Sequence, residues 1–351
     1  AVYGWGSLSA RPPPARFMSP HHREKVVDGT FRSASSGHEL FTRAWLPRGD
    51  ASPPRALLLL AHGIHEHVGR FDALATALAR AKVAVYGWDH VGHGRSGGEL
   101  RHQFGRDGFD GVVDDAVQYA RLVRGEYPRE IPMAFAGASF GGLVAAHAVL
   151  RSPDLSWSSL TLIAPAIDVR WNLTLRAQAL AGAALARAAP DRRLIPAVPP
   201  ERLSDDKDAV EEYARDPLVT VANVRAKAGY EILKGFESLR KRYGEITTPL
   251  LVLHGAEDEA TDPGASEIFV REAGSTDKTF ASLPNAGHLI AHERATRDVV
   301  TRAIVDFVVS RAAAAAATTT PGASEREEDA RGSAGASRRG GGGGGEERES
   351  V

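Results

Sequence analysis

Along the middle of the chain, strand-length aliphatic runs alternate with stretches whose apolar positions recur every three or four residues. Alternating segments within residues 31–46 predict a hairpin, and residues 56–63, 83–89, 131–139, 160–166, 249–258 and 279–283 predict further strands. Between and after them, residues 71–80, 109–124, 140–150, 265–272 and 295–309 carry the helical period. This alternation predicts an α/β fold, with a mostly parallel central sheet flanked by helices on both faces. In such sheets, ligands gather at the carboxyl ends of the strands.

One interval breaks the rhythm. Residues 168–247 predict an inserted helical cap, and within it residues 171–189 are apolar around most of a helical circumference. Two readings fit that segment. It is either a helix buried against the core or a lid whose apolar face contacts lipid and lines a tunnel for an acyl chain.

The ends of the chain read differently. Residues 1–23 hold several prolines and arginines and no acidic residue, and are expected to be a disordered segment. Residues 318–351 are rich in Gly, Ser, Arg and Glu and cannot bury enough apolar surface to offset their ordering entropy. The folded domain is therefore expected over residues 24–317. The chain starts at Ala1 and not at a methionine, which leaves organelle targeting by an upstream segment open.

Composition narrows the function. At 351 residues and 43% hydrophobic content, the chain has material for a large core. A formal net charge of −1 offers no basic surface excess, so no nucleic-acid partner is expected. The absence of cysteine excludes disulfides, cysteine nucleophiles and thiolate metal sites. No apolar run is long enough to span a bilayer, so a cytoplasmic or peripheral-membrane setting is expected. Nothing in the pattern sets an oligomeric state.

The candidate chemistry starts in the stretch FAGASFGGLVAAH, residues 135–147, where Ser139 falls between a buried strand and a helix. Small residues there could serve close packing alone. They also fit a nucleophile elbow, in which Gly137 and Gly141 make room for a sharp turn that projects the serine hydroxyl. Further chemistry follows other strand ends: Gly63 to His67, His90 to Ser96, and the acidic residues after Gly255. His288 lies in a loop beyond the last strand. Ser139, Asp258 and His288 stand in the chain order of an α/β-hydrolase triad.

Several motifs together, HGIHEHVGRF from His62, DHVGHGRSGG from Asp89, GASFGG from Gly137, EEYARDPLV from Glu211, LHGAEDEATDP from Leu253 and NAGHLIAHE from Asn285, carry a resemblance to the monoglyceride lipase group of serine hydrolases, within the α/β-hydrolase superfamily. The resemblance spans residues 31–307, with Ala138 standing where the group usually has histidine or glutamate. It implies an α/β-hydrolase fold and a cofactor-free enzyme that hydrolyses monoacylglycerols or related lipid esters through an acyl-enzyme. The small-molecule partner would be a lipid ester, with peripheral membrane contact through the cap.

The implied roles are specific. His288 would take the Ser139 proton and return it to the leaving alcohol, while Asp258 orients the imidazole. Glu257, Glu259 and Asp262 are rivals for the acid; the group's spacing after Gly255 favours Asp258. The backbone N–H groups of Ile64 and Phe140 would form the oxyanion hole. Alternatives in the same class are a lysophospholipase or a hydroxycinnamoyl-ester esterase. A catalytically silent hydrolase-fold binding protein is the alternative from another class.

Other patterns have weaker claims. His62, His65, His67 and Glu66 suggest a metal, but their spacing fits no helical zinc motif, so no metal site is expected. Gly92 to Gly97 satisfies a dinucleotide fingerprint without a helix to receive the pyrophosphate. His102 and Asp107 match a spacing linked with acyl transfer, read here as coincidence among 13 histidines. Asn172, Leu173 and Thr174 form a glycosylation sequon that matters only in a secreted protein.

Overall fold

A computed structural model describes residues 24–48, 53–98, 104, 107–169 and 171–319. The expected disordered segments, apart from residues 318 and 319, and the His102 half of the acyl-transfer spacing lie outside them. Eight strands, β1 (Lys25–Arg32), β2 (Glu39–Leu46), β3 (Ala56–Ala61), β4 (Val83–Trp88), β5 (Met133–Ala138), β6 (Trp157–Ile163), β7 (Leu250–Gly255) and β8 (Lys278–Leu283), form one sheet in the order β1-β2-β4-β3-β5-β6-β7-β8. The β1–β2 and β2–β4 pairs are antiparallel and all the others parallel. This is the α/β-hydrolase arrangement.

Strands buried on both faces read as continuous aliphatic runs. In β3, Leu57, Leu59 and Ala61 pack into the core on one face, while Ala56, Leu58 and Leu60 pack into the core on the other. The first face is covered by α2 (Gly108–Gly125), α3 (Phe140–Arg151) and α7 (Pro263–Glu272), and the second by α1 (Asp72–Arg80) and α8 (Arg297–Thr319). No helix among the described residues is long and apolar enough to cross a membrane.

Between β6 and β7 lie α4 (Leu173–Ala188), α5 (Lys207–Arg215) and α6 (Ala226–Arg240). Asn172 caps α4 by accepting the Leu175 N–H at 2.8 Å, which explains a helix start within the sequon. α4 packs across α6, and of its residues only Gly182 is fully buried. Leu173 and Leu180 are 86% and 93% exposed, which decides against α4 as a helix buried in the core.

Boundaries differ from the sequence reading where burial is weak. The hairpin begins at Lys25 and not at residue 31, because β1 is an edge strand in which Phe31 alone is buried, leaving no alternating signal. β6 begins three residues early, at Trp157, with Ser158 donating to the Met133 carbonyl at 3.1 Å. α8 begins at Arg297 and runs past residue 309, the expected end of the helical period, through the alanine-rich stretch to Thr319, two residues beyond the expected domain limit of 317, as alanine's high helix propensity allows.

Candidate active site

The elbow explains its glycines. Ser139 has φ 51° and ψ −121°, a conformation that costs a non-glycine residue energy and is retained only where the surroundings enforce it. The turn closes so tightly that a Cβ on Gly137 would lie 2.2 Å from the Gly141 carbonyl oxygen, and one on Gly141 would lie 2.3 Å from that of Ala61. Ser139 is tied to the next strand by its N–H to the Ile163 carbonyl and by its carbonyl to the Ala166 N–H, both at 2.9 Å. Phe140 follows as the first residue of α3, where an N–H has no partner within the helix. Its ring is wedged against Phe104, Phe109 and His90, which fixes that peptide.

His288 and Asp258 meet from loops 30 residues apart. His288 Nδ1 donates to Asp258 Oδ2 at 2.7 Å, the carboxylate being fully buried. Burial alone would raise the Asp258 carboxyl, yet the charge of His288 and hydrogen bonds from His254 and His288 hold it far below the usual range. Burial would likewise depress His288, but the charge and hydrogen bond of Asp258, with the nearby charges of Glu66 and Glu293, raise the imidazole. Asp258 Oδ1 also accepts the Ala260 and Thr261 N–H groups at 2.7 and 3.0 Å.

The rival acids are occupied elsewhere. Glu257 is exposed, Glu259 pairs with Arg202, and Asp262 caps α7 through the Gly264 N–H. No Ser139–His288 hydrogen bond forms, although both residues line the same cavity; such contacts often tighten only with substrate bound.

The loop after β3 is braced from several sides. Glu66 accepts the Gly63 N–H at 2.9 Å and the Arg70 Nε–H at 3.0 Å, a nearly buried pair one helical turn apart. The His62 ring donates to the Gly63 carbonyl at 2.7 Å and accepts the His90 N–H at 2.9 Å. Burial and neighbouring histidines hold His62 well below the ordinary range, and burial pushes His90 down to about 3, so both rings are neutral at neutral pH. His93 Nε2 contacts the Ile64 carbonyl and so anchors the peptide that follows Ile64.

The histidines once grouped as a metal candidate therefore diverge. His62 faces His90, His67 pairs with Asp216 at 2.8 Å, and His65 lines the cavity. Among the described residues, no group of three or more His, Cys, Asp or Glu is placed to hold a metal. The glycines at 92–97 form turns in which the Asp89 carboxylate accepts the Val68 and Arg95 N–H groups, and no helix begins there.

Ser139, His288, Ile64 and Phe140 open onto one cavity of about 610 Å³. The cap supplies most of its wall, with Trp171, Leu175, Leu185, Ile195, Ile232 and Phe236 among the apolar side chains. The cap is also bonded to the loops that carry His288 and His65: the Leu203 carbonyl accepts the His288 N–H at 2.7 Å, and the Thr220 N–H reaches the His65 carbonyl at 2.8 Å. Sequence reasoning missed the Glu66–Arg70 brace, although their spacing of four was visible, and it missed the partners of Asp258, His254 and Thr261.

Known proteins share this architecture. The sequence profile of the family described as serine aminopeptidase, S33 (Hydrolase_4) matches residues 52–295. Rat monoglyceride lipase is 32% identical over 259 residues, covering 74% of this chain and 82% of that protein. The monoacylglycerol lipase of Mycolicibacterium smegmatis is 30% identical over 269 residues, covering 74% and 91%. The crystal structure of the Paleococcus ferrophilus monoacylglycerol lipase superposes with a TM-score of 0.67 at 28% identity, over 78% of this chain and 99% of that one. With its elbow, its cavity and matches of this extent, the chain belongs to the Hydrolase_4 family of serine hydrolases, alongside the monoglyceride lipases.

Proposed function

We propose that the protein is a serine carboxylesterase that hydrolyses monoacylglycerols through an acyl-enzyme on Ser139. His288 removes the Ser139 proton as the hydroxyl attacks the ester carbonyl, then delivers it to the departing glycerol. Asp258 fixes the tautomer by accepting from Nδ1 and stabilises the imidazolium. The Ile64 and Phe140 N–H groups bind the tetrahedral oxyanion, and a water activated by His288 releases the fatty acid.

The observation that carries this reading is the shared cavity: a hydroxyl on a strained turn and a carboxylate-bound imidazole at the floor of an apolar chamber. An acyl chain suits such walls, since burying each methylene contributes about 0.8 kcal/mol. The outward leucines of α4 supply the peripheral contact with a lipid surface from which substrate enters.

A fluorophosphonate probe and a fatty-acid release assay test the proposal. The probe is expected to modify Ser139, and Ser139→Ala is expected to lose both labelling and at least about a thousandfold in monoacylglycerol hydrolysis. Hydrolysis that survives Ser139→Ala, or a native protein that neither labels nor hydrolyses, would refute it; the second result is what a silent binding protein gives.

A further inference from the structure

β7 is aliphatic until its end, where the alternation places His254 on the same face as Leu250 and Val252, toward α7. The ring is fully buried and belongs to none of the catalytic roles assigned above. Its Nε2 lies 3.1 Å from Asp258 Oδ2, the same oxygen that accepts from His288 Nδ1 at 2.7 Å. Thr261 Oγ1 donates to that oxygen at 2.9 Å and lies 3.1 Å from His254 Nε2. On its far side, His254 Nδ1 meets Ser266 Oγ of α7 at 2.9 Å. The carboxylate is thus held between two imidazoles, one facing the cavity and one facing the core.

We propose that His254 is a positioning residue that tunes the basicity of His288 through Asp258, which rests on the assignment of Asp258 as the catalytic acid. A carboxylate has no proton to give, so the shared oxygen requires the His254 tautomer with hydrogen on Nε2. Ser266 enforces it by offering its hydroxyl proton to Nδ1. The donor draws electron density from Asp258 Oδ2 and weakens that oxygen as an acceptor toward His288. It thereby limits how strongly the carboxylate stabilises the imidazolium and keeps the base deprotonated to lower pH. It also fixes the carboxylate plane, and with it the direction in which His288 points.

The other titratable groups acting on His288 come from different elements: Glu66 and His65 of the loop after β3, and Glu293 and His292 ahead of α8. Changes at position 254 leave all four in place. Removing the His254 donor should therefore move the acid limb of the pH profile in one direction, upward.

The experiment measures kcat and KM against pH with a soluble short-chain ester for the native protein, His254→Leu, His254→Gln and Ser266→Ala, each with a thermal melt. His254→Leu is expected to lower kcat at neutral pH tenfold or more with KM within about twofold, and to raise the acid-limb midpoint by at least half a pH unit. His254→Gln places an amide N–H near the lost donor and should restore most of the midpoint. Ser266→Ala, which frees the other tautomer, should shift it part of the way. If His254→Leu does not fold, the glutamine and Ser266→Ala profiles carry the test alone, and a native midpoint with unchanged kcat in Ser266→Ala overturns the proposal. So does a folded His254→Leu with a native midpoint, or a His254→Gln that shifts as far as leucine. Asp258→Asn is the control for the reading beneath it: full activity there refutes Asp258 as the acid, whatever position 254 does.

Discussion

The strand ends and the cap meet across one cavity but are built by opposite means. At the strand ends hydrogen bonds and close packing force the backbone and the key side chains into place: the Ser139 turn by Gly141 against Ala61, the loop after β3 by Glu66, and the Asp258 carboxylate by five donors. α4 faces the cavity with Leu175 and Leu185 and solvent with Leu173 and Leu180, and few directional contacts specify it. Chemistry that depends on angles and tenths of an ångström needs the first construction. Holding a flexible chain needs only volume and apolarity, which the second supplies. Changes at the strand ends should therefore damage turnover of every ester, while changes in the cap should select among them.

Outside the proposed triad, the largest effect is expected at Glu66. Glu66→Ala frees the Gly63 N–H and leaves the Arg70 guanidinium buried without its carboxylate, a loss of about 3–5 kcal/mol in such pairs. Because the same loop carries Ile64, kcat should fall about a hundred- to thousandfold on short and long esters alike. Steady-state kinetics on both substrates, with the melting temperature, check this. A loss confined to long-chain esters would break the division between the two regions.

Next comes pH. As the proposed base, His288 must be neutral to act, and Asp258 raises it above the ordinary histidine value near 6.5. The acid-limb midpoint of kcat/KM should therefore lie above 6.5, with activity falling tenfold per unit well below it. Asp258→Asn should bring any residual activity's midpoint down. The linked stability runs the opposite way: the raised imidazole contributes fully below 6.5 and its contribution is lost as pH rises through the folded value. A profile of kcat/KM between pH 5 and 9 reads the midpoint, and one below 6.5 contradicts the ion pair's dominance.

The two regions also differed in how far the sequence disclosed them. Ser139 and Asp258 stand out because each follows a strand whose apolar run is visible, and His288 because it follows the last strand, KTFASL, in the expected chain order, so topology brings the three to one edge. Phe140 and Ile64 follow from their neighbours by backbone position. Some supports did not show because their contacts are remote along the chain: His67 meets Asp216 across 149 positions, and no local pattern records such a pair, whereas Glu66 and Arg70 stand four apart without a helical pattern to give that spacing meaning. His254 was hidden differently, as a polar residue on a buried strand whose partner, four positions on, was already taken for catalysis. In the cap, the apolar character of 171–189 was plain, but periodicity could not separate the cavity side from the solvent side.

That separation makes the third prediction. Leu175 lines the cavity, so Leu175→Ser should reduce kcat/KM for long-chain monoacylglycerols about tenfold while leaving a short soluble ester within twofold. Measuring both esters as monomers, below the concentration at which the long one aggregates, keeps membrane effects out of the comparison. Equal losses on the two would mean that the cap supports the catalytic loops through Leu203 and Thr220 more than it holds the chain.

The smallest effect isolates the outer face. Leu173 and Leu180 lie seven residues apart on the same side of α4, with exposed Arg176 and Arg187 beside them. Neither leucine lines the cavity, and at 86% and 93% exposure neither supports the fold, so the double change Leu173→Ser with Leu180→Ser should leave the melting temperature and monomeric-ester kinetics unchanged. Hydrolysis of monoacylglycerol presented in vesicles should fall several-fold, because the apolar area available for insertion shrinks while the flanking arginines remain. Cosedimentation with anionic vesicles should weaken in parallel and depend more steeply on salt, since the residual attraction is electrostatic. If vesicle hydrolysis stays native while the Leu175→Ser effect persists, the cap shapes the chamber without docking on lipid, and its exposed leucines serve neither region.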